Sequence, residues 1–262
     1  VSRLSFNSMT ADRWSLPEVV EACAEHGVEW IGPWRHKLAE IGVGEAARLI
    51  SEAGLKVSSL CRGGFFTADG ADEDNRRAVE EAAALGAGVL VLVCGPPASS
   101  DLAAARAAIE RGIERLLPHA IEHGVKLGIE PLHPMMIGER SAIVTLGEAT
   151  EMAARIGDPH VGVVIDVYHV FWDPHLDEEI ARAAGRILGF HVNDWLPATK
   201  DTLLERGMMG DGIIDLARIR GLVDAAGYDG PIEVEILNPA VWDLPRAELM
   251  GTVIERFERC VA

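Results

Sequence analysis

Gly162-Val163-Val164-Ile165-Asp166-Val167-Tyr168-His169 carries the pattern on which the rest of the chain is built. An apolar run leads into an aspartate, and a histidine follows three positions later. A run of this kind reads as a strand buried on both faces, as in a parallel sheet. The aspartate at its end must find a cation or hydrogen-bond donors, because a lone buried carboxylate is too costly. Three other segments share the construction: Val125 to Pro131 ends in Glu130, Ile187 to Asp194 carries His191, and Pro231 to Leu237 carries Glu235. Four apolar strands therefore each deliver one metal-type ligand near the C-terminal end.

Outward from these four, the same alternation fills the chain. Strands are expected at Leu4 to Asn7, Glu29 to Trp34, Lys56 to Cys61 and Gly88 to Cys94, then at Val125 to Glu130, Val161 to Val167, Ile187 to Asn193 and Ile232 to Ile236. Helical spacing separates them, and glycines at 54, 86, 124, 157 and 227 stop the helices. Asp101 reads as the N-cap of a long helix to His123, in which Pro118 predicts a kink or a break. Residues Trp195 to Gly212 read as a long loop. Eight strand-helix units at roughly 30-residue spacing, with no linker between them, predict a single (β/α)8 TIM barrel over residues 1–262. An open dinucleotide-binding sheet would want a glycine-rich turn after the first strand, and Asn7-Ser8-Met9-Thr10 is not one.

Composition narrows the function. Of 262 residues 48% are hydrophobic, enough for a large core, and 41 acidic against 24 basic residues give a formal charge of -17. Such a surface repels polyanions, so no nucleic-acid partner is expected. The start of the chain shows no charged-then-apolar leader and the apolar runs are too short for a membrane span. A cytoplasmic protein with no membrane partner is the expectation, with a homo-oligomer left open. Cys23, Cys61, Cys94 and Cys260 have no metal or redox spacing and read as free thiols, mostly buried.

In a barrel, active sites form at the C-terminal ends of the strands, where Glu130, Asp166, His191 and Glu235 fall on consecutive strands five to eight. Any one of them alone reads equally well as a loop cap or an arginine partner. Together, three carboxylates and an imidazole make a hard donor set that suits Mn²⁺ or Mg²⁺, with Co²⁺ and Zn²⁺ as alternatives. Without a cation three clustered carboxylates would repel one another. Glu233 shares the parity of Glu235 but lies two residues deeper in its strand.

The segments Leu127-Gly128-Ile129-Glu130-Pro131-Leu132, Asp166-Val167-Tyr168-His169, Gly189-Phe190-His191-Val192-Asn193-Asp194 and Gly227 to Ile236 resemble the xylose isomerase-like barrel superfamily. The nearer likeness is to its sugar (phosphate) isomerase/epimerase branch, which includes ketose 3-epimerases, hydroxypyruvate isomerases and inosose dehydratases. The resemblance spans essentially the whole chain. It implies one Mn²⁺-type ion on Glu130, Asp166, His191 and Glu235, with the two glutamates doubling as acid and base on opposite faces of a sugar. It also implies His169 as a substrate contact. The chain departs from the epimerase pattern at Met136, where a second glutamate is expected, and at Pro197, where a basic residue is expected. His133 and Arg206 are candidates for the vacant roles.

Two further loops offer substrate contacts. Trp34-Arg35-His36 and Arg62-Gly63-Gly64-Phe65-Phe66 pair an aromatic ring with an arginine, which suits stacking on a sugar and bonding its hydroxyls. Packing that closes the barrel explains them as well. Gly207-Met208-Met209-Gly210-Asp211-Gly212 sits where many barrels bind phosphate. Its aspartate and its lack of lysine favour a neutral polyol or keto-sugar instead. The expected activity is a metal-dependent isomerase or epimerase that moves an α-proton of a sugar or polyol ketone through a metal-stabilised enediolate. A dehydratase or lyase acting on a keto-sugar or keto-glycoside through the same site is the alternative. A DNA-repair endonuclease would want more histidine ligands and a basic groove, and a non-catalytic relative would lack a ligand.

Overall fold

A computed structural model describes residues 2–262. The apolar runs form strands β1 (Leu4–Asn7), β2 (Trp30–Gly32), β3 (Lys56–Val57), β4 (Leu60–Gly64), β5 (Val89–Val93), β6 (Lys126–Ile129), β7 (Val161–Asp166) and β8 (Ile187–Val192). After the short strands β9 (Asp194–Trp195) and β10 (Arg206–Gly207), β11 (Ile232–Val234) completes the set. Nine of these are hydrogen-bonded in the order β3-β2-β1-β11-β8-β7-β6-β5-β4, all parallel.

The expected third strand, Lys56 to Cys61, is split into β3 and β4. Ser58 and Ser59 between them turn their hydroxyls onto Glu233 Oε2 at 2.6 and 3.0 Å, and that pull interrupts the strand. The two halves occupy one position of the barrel. Ser58 N donates to Ile31 O at 3.0 Å below the break. Above it, Cys61 N donates to Pro33 O at 3.2 Å, and Trp34 bridges Cys61 in parallel. The ring thus closes with eight positions, the TIM barrel that the strand-helix count predicts.

Side-chain alternation, undecided from sequence, resolves cleanly. Phe6, Leu90, Leu92, Phe190, Ile232 and Val234 face outward into the main core between strands and helices. Inward, Cys61, Val89, Val91 and Val164 form a small apolar plug. Gly128 makes room for that plug: a Cβ there would lie 2.6 Å from Val164 Cγ2. Polar side chains begin one layer above the plug, so the chemistry sits on a dry floor.

The helices start where their capping residues stand. Asp101 accepts from Ala104 N, Thr145 from Glu148 N and Asp215 from Arg218 N, each worth about 1 kcal/mol by the usual scale of N-caps. The helix Leu102–Glu122 runs through Pro118 without a break. Buried Leu116 and Ala120 hold both halves against the barrel, which offsets the lost backbone hydrogen bond. No helix among the described residues is long and apolar enough to cross a membrane. All four cysteines are free, three of them buried and Cys260 partly exposed.

Residues expected as a loop hold the largest departure. β9 and β10 pair antiparallel, Arg206 opposite Trp195 and Gly207 opposite Asp194. Asp194 organises the chain beyond it: its carboxylate accepts from the backbone N–H of Trp195, Gly210, Gly212 and Ile214 at 2.9 to 3.0 Å. At Gly212 a Cβ would lie 2.2 Å from Trp195 O, so only glycine fits there. The N–H groups of Gly210 and Gly212 are thus taken by Asp194 and not free for a phosphate.

Candidate active site

Glu130 follows β6, Asp166 ends β7, His191 lies in β8 and Glu235 follows β11. Asp166 faces His191 directly across the β7–β8 ladder, whereas Glu235 lies two residues beyond Glu233, the register partner of His191. Strand tilt in a barrel converts such stagger into a common height. Each of the four side chains offers one ligand atom within 4.8 Å of the others, and Glu130, the most exposed, is only 6% accessible.

His191 Nδ1 lies 3.6 Å from Glu130 Oε1 and 3.9 Å from Glu235 Oε2. Neither ring nitrogen of His191 has a hydrogen-bond partner among the described residues. Buried polar atoms are rarely left this way. A ring with unpaired nitrogens, encircled by three carboxylates, fits a divalent cation bound between them. On the far side of the ring, Glu233 Oε2 stands 3.8 Å from Nε2. Glu233 is anchored by Asn7 Nδ2 at 2.6 Å and by Ser58 and Ser59. It fills the space above Gly32, where a Cβ would lie 2.0 Å from its Oε1. Glu233 therefore sits beneath the site, while Glu235 lines the cavity.

The charges shift one another strongly. Burial pushes Glu130 up to about 8, with the charges of Glu235 and Asp166 adding to the effect against His191 and Arg206. Burial also raises Glu235. Burial works against Asp166 as well, yet Arg206 first, with His191 and the Tyr168 N–H, holds it below the ordinary carboxylate value. His191 has its charge opposed by burial, but Glu233 and the three other carboxylates lift it to about 9.

Arg206, carried in by the β9–β10 ribbon, is the nearest fixed cation. Its Nη1 donates to Asp166 Oδ2 at 2.7 Å and to Glu235 Oε2 at 2.9 Å, and its guanidinium lies over the Tyr168 ring at 4.8 Å. Asn193 Nδ2 and Tyr168 N donate to Asp166 Oδ1 at 2.9 and 3.0 Å. Trp34 Nε1 and Asn7 Nδ2 donate to Glu235 Oε1 at 3.2 and 3.1 Å. Neither Asn7 nor Asn193 stands out in the sequence pattern, although Asn193 shares the strand parity of His191 and Asn7 ends the first strand.

His169 is buried beside Arg206, and its Nδ1 accepts from His133 N at 3.2 Å. A neutral imidazole has one lone pair, so the ring proton sits on Nε2, 3.7 Å from Asp166 Oδ2. The 3.3 Å approach of Arg206 Nη2 to Nε2 is then a contact between donors. Burial drives His169 down to about 3, which keeps it neutral. His133 stands behind it, stacked on Trp195 at 5.0 Å and edge-on to Trp172 at 5.7 Å, and does not line the cavity.

A cavity of about 180 Å³ opens above these groups. Glu130, Glu235, His169 and Arg206 form its floor, Trp34, Arg62 and Arg140 its polar wall, and Leu132, Met136 and Leu203 its apolar side. Met136 replaces the second glutamate of the epimerase pattern with apolar surface. A second group of candidate ligands, Glu80, His119 and His123, lies apart on the outer helices.

Among known proteins, SMc04130 from Sinorhizobium meliloti is 48% identical, and its solved structure matches with a TM-score of 0.95 over 99% of this chain and 98% of that one. An IOLI protein solved with a zinc atom matches at 21% identity and a TM-score of 0.87, over 99% and 98% of the two chains. A D-allulose 3-epimerase from Methylomonas matches at 20% and 0.77, over 100% and 99%. These last two show a shared fold. An inosose isomerase of Bacillus velezensis is 23% identical over 99% of this chain and 97% of its own. The inosose isomerase of Halalkalibacterium halodurans is 26% identical over 50% of this chain, a match that spans 46% of that relative. The family model for the xylose isomerase-like TIM barrel matches residues 20–260, and the chain belongs to that family.

Proposed function

We propose that this chain is a divalent-metal-dependent isomerase or epimerase, cytoplasmic, acting on a sugar or polyol ketone by proton transfer next to the carbonyl. One observation carries the reading: Glu130 and Glu235 reach the same cavity from opposite ends of a run of four neighbouring strands, with Asp166 and His191 between them. The inosose isomerase relatives support this class of chemistry.

Glu130, Asp166, His191 and Glu235 would hold the ion, with Mn²⁺ favoured by the oxygen-rich set. When bound, such an ion supplies a Lewis acid for a ketone oxygen and its neighbouring hydroxyl. One glutamate takes the proton from the adjacent carbon and the other returns one. Return to the same carbon from the opposite face epimerises it; return to the neighbouring carbon isomerises the sugar. His169, which lines the cavity, would contact a substrate oxygen there. Arg206 favours the ionised form of Asp166 and opposes the effect of burial on Glu235. Trp34 fixes Glu235 through its indole N–H, and the apolar wall keeps water from the exchanging proton.

Turnover of a panel of inososes and ketohexoses with Mn²⁺ in D₂O tests the reading. Deuterium is expected on the carbon beside the carbonyl, although a well-shielded proton returns without exchange. Glu130→Gln and Glu235→Gln should each slow turnover by at least about 10²-fold, the lower range for acid–base catalysis. A Glu235→Gln enzyme that retains its metal and turns over at the wild-type rate would rule out the two-glutamate mechanism. Recovery of an unsaturated product would point to the dehydratase chemistry instead.

A further inference from the structure

The cavity contains more positive charge than its floor requires. Arg206 is matched by Asp166 and Glu235. Arg62, in β4, and Arg140, in the connection after β6, line the same cavity and are both only half-buried. Among the described residues neither guanidinium has a carboxylate within ion-pair distance or a side-chain hydrogen bond. Of the three arginines that line the cavity, these are the two without a carboxylate partner. Asp74, the carboxylate acting on Arg62 from nearby, is already taken by Arg35 at 2.9 and 3.1 Å and by Arg77 at 2.5 Å.

Both arginines are held in place without a counter-charge. Arg62 lies over the Phe65 ring at 4.1 Å, which fixes the plane of its guanidinium. Arg140 is anchored through its carbonyl, which accepts from Gly95 N at 2.9 Å beside the parallel bridge of Gly95 to Ser141. Burial, and after it the charge of Arg140, pulls the pKa of Arg62 below its ordinary value. Two like charges brought to one apolar-walled cavity raise the energy of the empty site, and an anion lying between them lowers it. A planar guanidinium pairs with a carboxylate or a phosphate through two parallel hydrogen bonds.

We infer that the substrate is an anionic keto-sugar, whose carboxylate or phosphate binds between Arg62 and Arg140 while its ketone lies over Glu130 and Glu235. The charged end then sits against the wall of β4 to β6, across the cavity from β11. This deepens the proton-transfer reading and rests on it for the placement of the ketone. It departs from the neutral substrate expected from the 207–212 loop. Two amides of that loop, those of Gly210 and Gly212, are taken by Asp194, and the loop says nothing about charge elsewhere in the cavity.

The test uses the Mn²⁺-loaded protein and three probes: D-fructose, 5-keto-D-gluconate and D-fructose 6-phosphate, with dissociation constants measured by calorimetry at two salt concentrations. At least one anionic probe should bind about tenfold or more tightly than fructose, the scale of one hydrogen bond to a charged group, and salt should erode the advantage. The tighter anion identifies carboxylate or phosphate. Arg62→Gln and Arg140→Gln should each collapse the anion-to-neutral ratio. Arg140 lies in a half-exposed connection, and the salt dependence of the unmodified protein is read without any variant. Equal affinity for the three probes, no binding of any of them, or a ratio unmoved by both variants would overturn the inference. Deuterium exchange is read separately. An intact ratio with a metal-loaded Glu235→Gln enzyme turning over at the wild-type rate would remove the proton-transfer reading alone, and exchange on a neutral ketose with no anion preference would remove the anion site alone.

Discussion

Around the mouth of the barrel, the wall formed by β6, β7, β8 and β11 takes its carboxylates and histidine from strand ends, whereas the arginines come from the irregular strand β4, the connection after β6 and the β9–β10 ribbon. On that wall, Glu130, Asp166, His191 and Glu235 are positioned by hydrogen-bonded ladders whose outward faces are packed under helices. Arg62, Arg140 and Arg206 instead reach the cavity through local devices: a ring under a guanidinium, a single bridge, and a carboxylate that gathers four backbone amides. A site built this way holds its carboxylates on long ladders and its arginines on short local contacts.

The largest expected effect breaks the strand-end wall. Asp166→Ala or His191→Ala should abolish metal binding and activity while the protein stays folded, since both lie above the apolar plug. Elemental analysis beside a thermal melt checks this. Stoichiometric metal in either variant would show that the residue is not a ligand.

That asymmetry is also what made the site half legible in the sequence. An inward residue at the end of a parallel strand leaves a period-two signature and an apolar run before it, so all four candidate ligands could be named, along with the barrel itself. Arg206 lies in no such pattern. It is reached through a ribbon of two-residue strands held by the buried Asp194, and a pair that short has no readable periodicity. Arg140 lies between a one-turn 3-10 helix, Pro134–Met136, and an isolated bridge, and its isolation from carboxylates is a property of three-dimensional neighbours alone. The split of the third strand was hidden for the same reason, because Glu233 pulls on Ser58 and Ser59 from the far side of the chain.

A second, smaller effect sharpens the comparison by removing the cation that joins the two walls. Arg206→Met leaves Asp166 and Glu235 buried without their partner. Breaking a buried pair from one side costs about 3–5 kcal/mol. With EDTA present the full loss should appear in urea denaturation. With Mn²⁺ present it should shrink, because a bound cation supplies the missing charge. An equal loss in both conditions would mean that the ion does not share those carboxylates.

The smallest effect concerns the support beneath the arginine wall. Arg35, at the start of the helix Arg35–Ile41, clamps Asp74 and Glu81 of the helix Ala71–Leu85. The hydrogen bonds from Arg35, aided by Arg77 and opposed by burial, hold Asp74 down at about 2. A carboxylate depressed in the folded state stabilises the protein above its unfolded value of about 3.9, and that stabilisation is lost as pH falls through the folded value. Asp74 is 45% exposed, so solvent screening limits the contribution to about 1 kcal/mol or less. Arg35→Met should therefore lower the melting temperature by a few degrees at pH 7. The difference from wild type should hold down to about pH 4 and narrow between pH 4 and pH 2. A gap that persists unchanged to pH 2.5 would assign the role of Arg35 to packing of its aliphatic stem between the two helices. In that case Asp74 would be free to turn toward Arg62, and the anion site would lose part of its unpaired charge.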